Sequence, residues 1–499
     1  MPNVSIRTLA GEGAAFGTSG VRGTVEALTD RVCFAYAAAF LEAVAERGAA
    51  GGSGERAIAI GHDLRPSSPR MVAACIAACR ARGWRPVLAG AVPTPALAHY
   101  ALQRGLPAIM VTGSHIPFDR NGIKFYRADG EILKDDEAAI ADAAVAVDDA
   151  AFENGMLRAP PALPEVDPAP RDLYRARYVD SFRPGLLRGK RVGVYEHSSV
   201  ARDLCTEILR ALGAEVVSLW RTDTFVPIDT EAVSEADERR ALEWVSAHRL
   251  DALASTDGDA DRPLVGDEAG ALFRGDVVGM LCAGYLGAQT VVTPVSSNTA
   301  VERWGVFRTV VRTRIGSPYV IAAMAEAVRR GEAPVAGYEA NGGFLLGSDV
   351  RRGGEGAAKA LAALPTRDAL LPILSLLAMA AERSCPLSQL TAGLPARFTA
   401  SDRLRDFATT LSRRLIDHLA SEPGALASFF AELGAVEGVN QVDGLRAVLA
   451  GGDVVHLRPS GNAPELRCYA ESGTPERAAE LCRWGLRAAA ARSRELAGG

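Results

Sequence analysis

Short apolar runs alternate with longer helical stretches through the first three-quarters of the chain. Three segments share one order: an apolar strand, a Ser-Ser pair, then a helix. They are 56–60 leading to Ser67-Ser68, 191–195 leading to Ser198-Ser199, and 291–295 leading to Ser296-Ser297. New strands follow the first two helices, at 86–89 and 215–219. This β-α-β alternation predicts doubly wound sheets with helices on both faces. It predicts three related α/β units of roughly 100–150 residues each.

The last quarter has a different pattern. A strongly apolar helix at 369–381 precedes it, then come helices, a strand at 453–457, a loop, a strand at 465–469 and a closing Ala/Arg helix. This reads as a C-terminal α+β domain rather than a fourth doubly wound unit. Composition marks the joints. The stretch 158–171 holds five prolines, and further breaks fall at 267–275 and 385–395. The expected fold class is α/β with four domains, bounded at 1–157, 171–268, 272–384 and 396–499.

Length and charge agree with this organisation. The chain has 499 residues, 48% hydrophobic and 23% charged, enough for several independent cores. A net charge of −5 argues against nucleic-acid binding, which needs surplus positive charge. The longest uncharged run, 277–300, is broken by Gly279, Gly284, Gly287, Gln289 and Pro294. It reads as a helix and a strand rather than a membrane span. The first 17 residues lack the basic start and apolar core of a secretory signal. Eight cysteines form no CxxC pair, and Cys75 and Cys79 read as buried free thiols. A reduced, cytoplasmic protein is expected. Only four of the 55 basic residues are lysine: Lys124, Lys134, Lys190 and Lys359.

Five loops carry candidate chemistry. The first, 16–23, sets glycines and small hydroxyls around Arg22 and exposes N–H groups to an anion. The second, 112–125, follows an apolar strand and places Ser114 just past its C-terminal end, where open α/β sheets bind ligands. Ser114 is a candidate nucleophile, with His115 and Lys124 as proton-transfer groups. Lysine can lose its proton where arginine cannot, so a lysine in an arginine-rich chain points to chemistry. A Ser-His-Asp hydrolase is disfavoured, because no G-x-S-x-G elbow is present.

The third loop, 255–263, sets Asp257, Asp259 and Asp261 at alternate positions, hard oxygen ligands for one divalent cation. An EF-hand would use Glu268 at its twelfth position, but position six is Arg262 and Pro263 follows. The fourth loop, 337–343, carries Glu339 and Asn341. In an extended loop they would point the same way, suited to vicinal sugar hydroxyls. The fifth, 458–465, offers Arg458, Ser460, Gly461 and Asn462 as a phosphate clamp.

With these five loops in this order, the chain resembles the α-D-phosphohexomutase superfamily, in its phosphomannomutase/phosphoglucomutase branch. The T-G-S-H-x-P…N-G-x-K and D-G-D-x-D-R motifs carry the resemblance, which covers nearly the whole chain. It implies four domains around a central cleft and a mutase moving phosphate between O6 and O1 of a hexose. Ser114 would be a phosphoserine, and with the three aspartates would hold Mg²⁺. A hexose 1,6-bisphosphate would be the intermediate and the activating phosphate donor. Lys124 would act as general acid/base with Arg22 and His115, and Arg262 would lie beside the metal. Glu339 and Asn341 would bind sugar hydroxyls; Arg458, Ser460, Gly461 and Asn462 would bind the distal phosphate. Hexose phosphates are the implied partners of a monomer or weak dimer.

The chain departs from the family pattern at Ile116, where asparagine is common, at Gly343, where histidine is frequent, and at Asn462, where threonine is frequent. Mannose is the expected sugar, with glucose or both sugars as the alternative. A phosphatase with Asp257 as nucleophile and a non-enzymatic sugar-phosphate binder are the rival classes. The intact Ser114 and aspartate loops disfavour both.

Overall fold

The computed structural model describes residues 3–11, 13–17, 20–46, 56–351, 359–460 and 464–498. The first sheet is built on β1 (Val21–Thr24), β2 (Ala57–His62), β3 (Arg85–Ala91), β4 (Ala108–Val111) and β5 (Arg120–Arg127). Strand β2 pairs in parallel with β3 and β4, while β5 returns antiparallel to β4. The apolar run Ala-Ile-Met-Val of β4 is buried throughout, as expected for a strand covered on both faces.

The second sheet repeats this plan with β6 (Arg191–His197), β7 (Glu215–Arg221), β8 (Ala252–Thr256) and β9 (Pro263–Gly266). The third repeats it with β10 (Thr290–Pro294), β11 (Thr309–Thr313), β12 (Val335–Tyr338) and β13 (Phe344–Leu346), then adds β14 (Leu364–Asp368). Counting from β2 in the first sheet, β6 in the second and β10 in the third, the spatial order in all three is second, first, third, fourth strand, with the fourth antiparallel. The three predicted units are therefore one motif, and each is a mixed rather than an all-parallel sheet.

The same motif explains the Ser-Ser pairs. Each pair follows the first strand of its unit and ties that crossover to the end of the third strand. Ser68 Oγ donates to Asp63 at 2.7 Å, and Asp63 accepts from Thr112 at 2.8 Å. Ser199 Oγ lies 2.6 Å from Thr256 Oγ1. Thr293 Oγ1 lies 2.8 Å from Ser297 Oγ and 2.9 Å from the Tyr338 carbonyl.

Two stretches differ from the sequence reading. Residues 120–125 are strand, not loop, so Lys124 sits inside β5 opposite Met110. Among the described residues the C-terminal domain has five strands rather than two. Besides β18 (Val454–Pro459) and β19 (Leu466–Ser472) it contains β15 (Phe398–Leu404), β16 (Val436–Asn440) and β17 (Leu445–Leu449). Strands β15 and β16 are the two edges of this antiparallel sheet. Edge strands need no buried apolar row, so their polar sequences give no strand signal.

The helix Leu370–Arg383 is buried from Leu370 through Ala380, the mark of a helix enclosed on all sides. It joins the units: Tyr174 and Tyr178, on the helix Ala169–Val179, both donate to Asp368 at its start. Among the described residues no helix is long and apolar enough to cross a membrane. Cys75 and Cys79 are buried free thiols.

Burial pushes His99, His197 and His456 down to about 4. Their folded values lie below the unfolded value, so the unfolded chain binds more protons between them and stability falls as pH falls. From pH 7 to pH 5 each should cost roughly 1–2 kcal/mol. His456 Nε2 meets the Asp443 carbonyl at 2.6 Å, and His456→Gln keeps a donor there. Urea titrations at both pH values should find the loss smaller in this variant by about that amount. An equal loss would remove His456 from the account.

Candidate active site

The three chemistry-bearing loops of the α/β units occupy the same place in the motif, between the third strand and the antiparallel fourth. Residues 112–119 join β4 to β5, 257–262 join β8 to β9, and 339–343 join β12 to β13. They meet at one buried cluster.

Ser114 is fully buried, in a left-handed conformation (φ 53°) that is uncommon for a residue with a Cβ. Its Oγ donates to Asp257 Oδ2 at 2.5 Å and lies 3.3 Å from His115 Nδ1. Gly258 lies beneath it: a Cβ there would fall 2.9 Å from the Ser114 carbonyl oxygen. Close approach of the two loops thus needs glycine at this position.

Asp257, Asp259 and Asp261 are buried, with one carboxylate oxygen from each lying within 4.8 Å of the others. Asp257 Oδ1 accepts the N–H groups of Asp261 and Arg262 at 3.1 and 3.2 Å, which closes the loop on itself. Thr94 donates to Asp259 at 2.5 Å. Lys124 Nζ bridges Asp259 and Asp261 at 2.6 Å to each. Burial and the neighbouring Asp261 and Asp259 push Asp257 well up. Burial acts likewise on Asp261, but Arg367, Lys124 and Arg262 overcome it and hold that carboxyl far below the usual range. Asp259 Oδ1 and Asp261 Oδ1 are buried and make no hydrogen bond to the described residues. Orphaned hard oxygens beside an anionic cluster fit a divalent cation.

The predicted cations converge here. Arg22, on β1, donates to the Gly113 carbonyl at 2.7 Å. Burial and the guanidiniums of Arg262 and Arg367 lower it to about 10. Arg262 Nε lies 3.6 Å from Asp261 and 4.0 Å from Asp257. Burial, Arg262 and Arg22 drive His115 well down, which favours the neutral imidazole.

Glu339 and Asn341 sit on a tight turn rather than an extended loop: Gly342 N–H returns to Glu339 O at 2.9 Å. Their side chains therefore have different partners. Glu339 accepts from Arg367 at 3.0 Å, and Asn341 Oδ1 accepts from Gly343 N–H at 2.9 Å. That leaves the Asn341 amide donors for a ligand. Arg458, on β18, donates to Asp443 at 2.8 Å, and Asp443 also accepts from Ile315 N–H of the third unit at 3.0 Å. Ser460 is buried, while Gly461 and Asn462 lie outside the described residues. Glu268 is carried away by β9 and bonds Ser388, so the aspartate loop is not an EF-hand.

Sequence reasoning missed the support beneath Ser114. Arg65 is fully buried and donates to the carbonyls of Pro117, Arg120, Ser114 and Ile116 at 2.7, 2.9, 3.0 and 2.5 Å. Its Nε lies 3.3 Å from Asp63, and its guanidinium lies over the Phe225 ring at 3.9 Å. Asn121 Nδ2 reaches Ser67 and Ser68 at 2.8 and 3.0 Å. The available signal was the Asp63-x-Arg65-x-Ser67-Ser68 run after a strand.

Family models for phosphoglucomutase/phosphomannomutase match this chain in three places: alpha/beta/alpha domain I at residues 13–150, domain III at 274–398 and the C-terminal domain at 421–483. A phosphomannomutase of Salmonella muenchen is 47% identical, covering 94% of each chain. One from Sinorhizobium fredii is 44% identical, over 95% of this chain and 98% of that one. A phosphoglucosamine mutase of Parafrankia is 32% identical, over 93% of this chain and 96% of that one. In fold, a phosphoglucomutase/phosphomannomutase family protein from Burkholderia thailandensis superposes with a TM-score of 0.72, 22% identity and 98% coverage of both chains. These likenesses define an isomerase of the intramolecular phosphotransferase class. The chain belongs to the phosphoglucomutase/phosphomannomutase family of the α-D-phosphohexomutase superfamily.

Removing Arg65 would leave Asp63 and four carbonyls buried without their partner. Arg65→Met should therefore destabilise the protein by about 3–5 kcal/mol, read by chemical denaturation. Gly113→Ala is the companion probe, because its Cβ would fall 2.5 Å from the same guanidinium. Wild-type stability in both variants would refute the role assigned to Arg65.

Proposed function

We propose that the enzyme interconverts mannose 6-phosphate and mannose 1-phosphate through a phosphoserine at Ser114 and a hexose 1,6-bisphosphate. The observation that carries this reading is Ser114 Oγ 2.5 Å from Asp257, at the edge of a buried carboxylate cluster lined by cations. The 47% and 44% identity to proteins named phosphomannomutase favours mannose as the sugar.

Asp257, Asp259, Asp261 and the Ser114 oxygen would hold Mg²⁺, which when bound neutralises charge on a phosphoryl group. The chain's own groups do the rest. The phosphoryl group leaves Ser114 Oγ, its P–O bond breaks, and a new P–O bond forms to the free hydroxyl oxygen of the hexose phosphate. The hydroxyl proton passes by way of Lys124 or His115 to Ser114 Oγ as that oxygen leaves; once the bisphosphate has turned over, the proton goes back by the same groups to the sugar oxygen as Ser114 Oγ takes the other phosphoryl group. Arg22 and Arg262 offset the charge on the group in transit. Glu339 and Asn341 take sugar hydroxyls, and Arg458, Ser460, Gly461 and Asn462 hold the phosphate that does not react. Phosphoryl transfer depends chiefly on such positioning and charge neutralisation. Enclosure between units keeps water from the phosphoserine.

The test is a phosphorus NMR time course with Mg²⁺ and a trace of hexose 1,6-bisphosphate, supplying mannose 1-phosphate and glucose 1-phosphate separately and in competition. Accumulation of the 6-phosphate with a higher kcat/KM for mannose is expected. A higher value for glucose would reassign the sugar, and inorganic phosphate without 6-phosphate would mean a phosphatase. Ser114→Ala should abolish turnover. Lys124→Arg keeps the charge but not proton transfer, so kcat should fall about 100-fold or more; near-normal turnover would remove Lys124 from that role.

A further inference from the structure

Arg367 is the last residue but one of β14 and is 3% exposed. Its Nε and Nη2 donate to Asp261 Oδ2 at 3.0 and 2.7 Å, and its Nη1 donates to Glu339 Oε2 at 3.0 Å. Lys124 donates to the same Asp261 oxygen at 2.6 Å. One oxygen of Asp261 thereby takes donors from the first and third units, while Oδ1 makes no hydrogen bond among the described residues. Glu339 is held in the same way, by one oxygen. A single guanidinium thus fixes the orientation of one carboxylate on the aspartate loop and one on the turn that carries Asn341.

The route of this side chain depends on Gly343. A Cβ at Gly343 would lie 2.7 Å from Arg367 Cδ and 3.0 Å from Cγ. Those atoms are mid-stem and cannot retreat without drawing the guanidinium off its two carboxylates. Gly343 is not among the residues with positive φ, so its backbone suits any residue. What excludes a side chain there is space. A guanidinium buried between two carboxylates recovers little net stability after desolvation, whereas its planar fork fixes geometry well.

We propose that Arg367 is a positioning residue that sets Glu339 in register with the aspartate loop, and that Gly343 is the notch through which it passes. The proposal rests on the reading of Glu339 as a sugar-binding group. Arg367 acts through Glu339 and Asp261, so it governs where the hexose sits relative to the aspartate loop and Ser114 rather than touching the reacting atoms.

The test uses the full chain and mannose 1-phosphate or, should the competition experiment favour it, glucose 1-phosphate. Steady-state kinetics and calorimetric binding of the hexose phosphate are measured for Gly343→Ala, Arg367→Ala, Glu339→Gln and their doubles. Gly343→Ala and Arg367→Ala should each weaken binding and kcat/KM about tenfold or more. Gly343→Ala should add nothing in the Arg367→Ala background, and Arg367→Ala should cost clearly less in the Glu339→Gln background than in the wild type. A merely structural role would lower Tm while leaving the KM of the folded fraction unchanged. Gly343→Ala with wild-type affinity, or losses that multiply in the doubles, would overturn the proposal. If Arg367→Ala does not fold, Gly343→Ala in the Glu339→Gln background decides, because a Cβ at Gly343 would also fall 3.0 Å from Asn341 Oδ1; a loss that multiplies there would overturn the proposal. A wild-type chain that converts neither hexose phosphate would sink the underlying reading, a result separate from any pattern among the variants.

Discussion

Three carboxylates within 4.8 Å of one another, in a buried site, repel by about 3–4 kcal/mol per pair even at an effective dielectric near 20. The fold can hold Asp257, Asp259 and Asp261 together only by bringing cations to them. No single unit supplies enough. Lys124 arrives from the first sheet, Arg262 from the loop itself and Arg367 from the third sheet. The docking of the units and the charge balance of the cluster are thus one problem. Misplacing any sheet would strand charge in the interior, where an unpaired ion costs several kcal/mol.

The three α/β units solve it with the same local device. In each, the loop that reaches the cluster joins the third strand to an antiparallel fourth, and a Ser pair after the first strand braces the end of the third. The bracing chemistry differs: an aspartate relay in the first unit, a direct hydroxyl pair in the second, and a threonine reaching a strand carbonyl in the third. The position is common to all three, so the convergence of Ser114, Asp257 and Glu339 follows from repetition of one topology.

Much of this is legible in the sequence. The Ser-Ser repeat marked the units, and the alternate aspartates and the Ser114 loop marked the cluster, because these signals are local in sequence. What escaped was long-range or apolar-poor. Arg367 lies 106 residues from Asp261, its partner, and nothing beside it in the chain distinguishes it from the other arginines. Arg65 was hidden likewise, since its acceptors are backbone carbonyls about fifty residues away. The edge strands β15 and β16 escaped because half-exposed strands carry polar residues freely. The Glu339 turn was misread as extended because neighbouring glycines permit both conformations.

The antiparallel fourth strand has a consequence for how such a molecule can diverge. Each loop at the cluster is a hairpin connection, whereas the crossover helices that define the unit lie elsewhere in the chain. Residues can be exchanged, added or lost in a hairpin without re-threading the layers beneath it. The scaffold and the chemistry are therefore separately heritable: an ancestral unit can be copied for its frame, and each copy can then acquire its own hairpin.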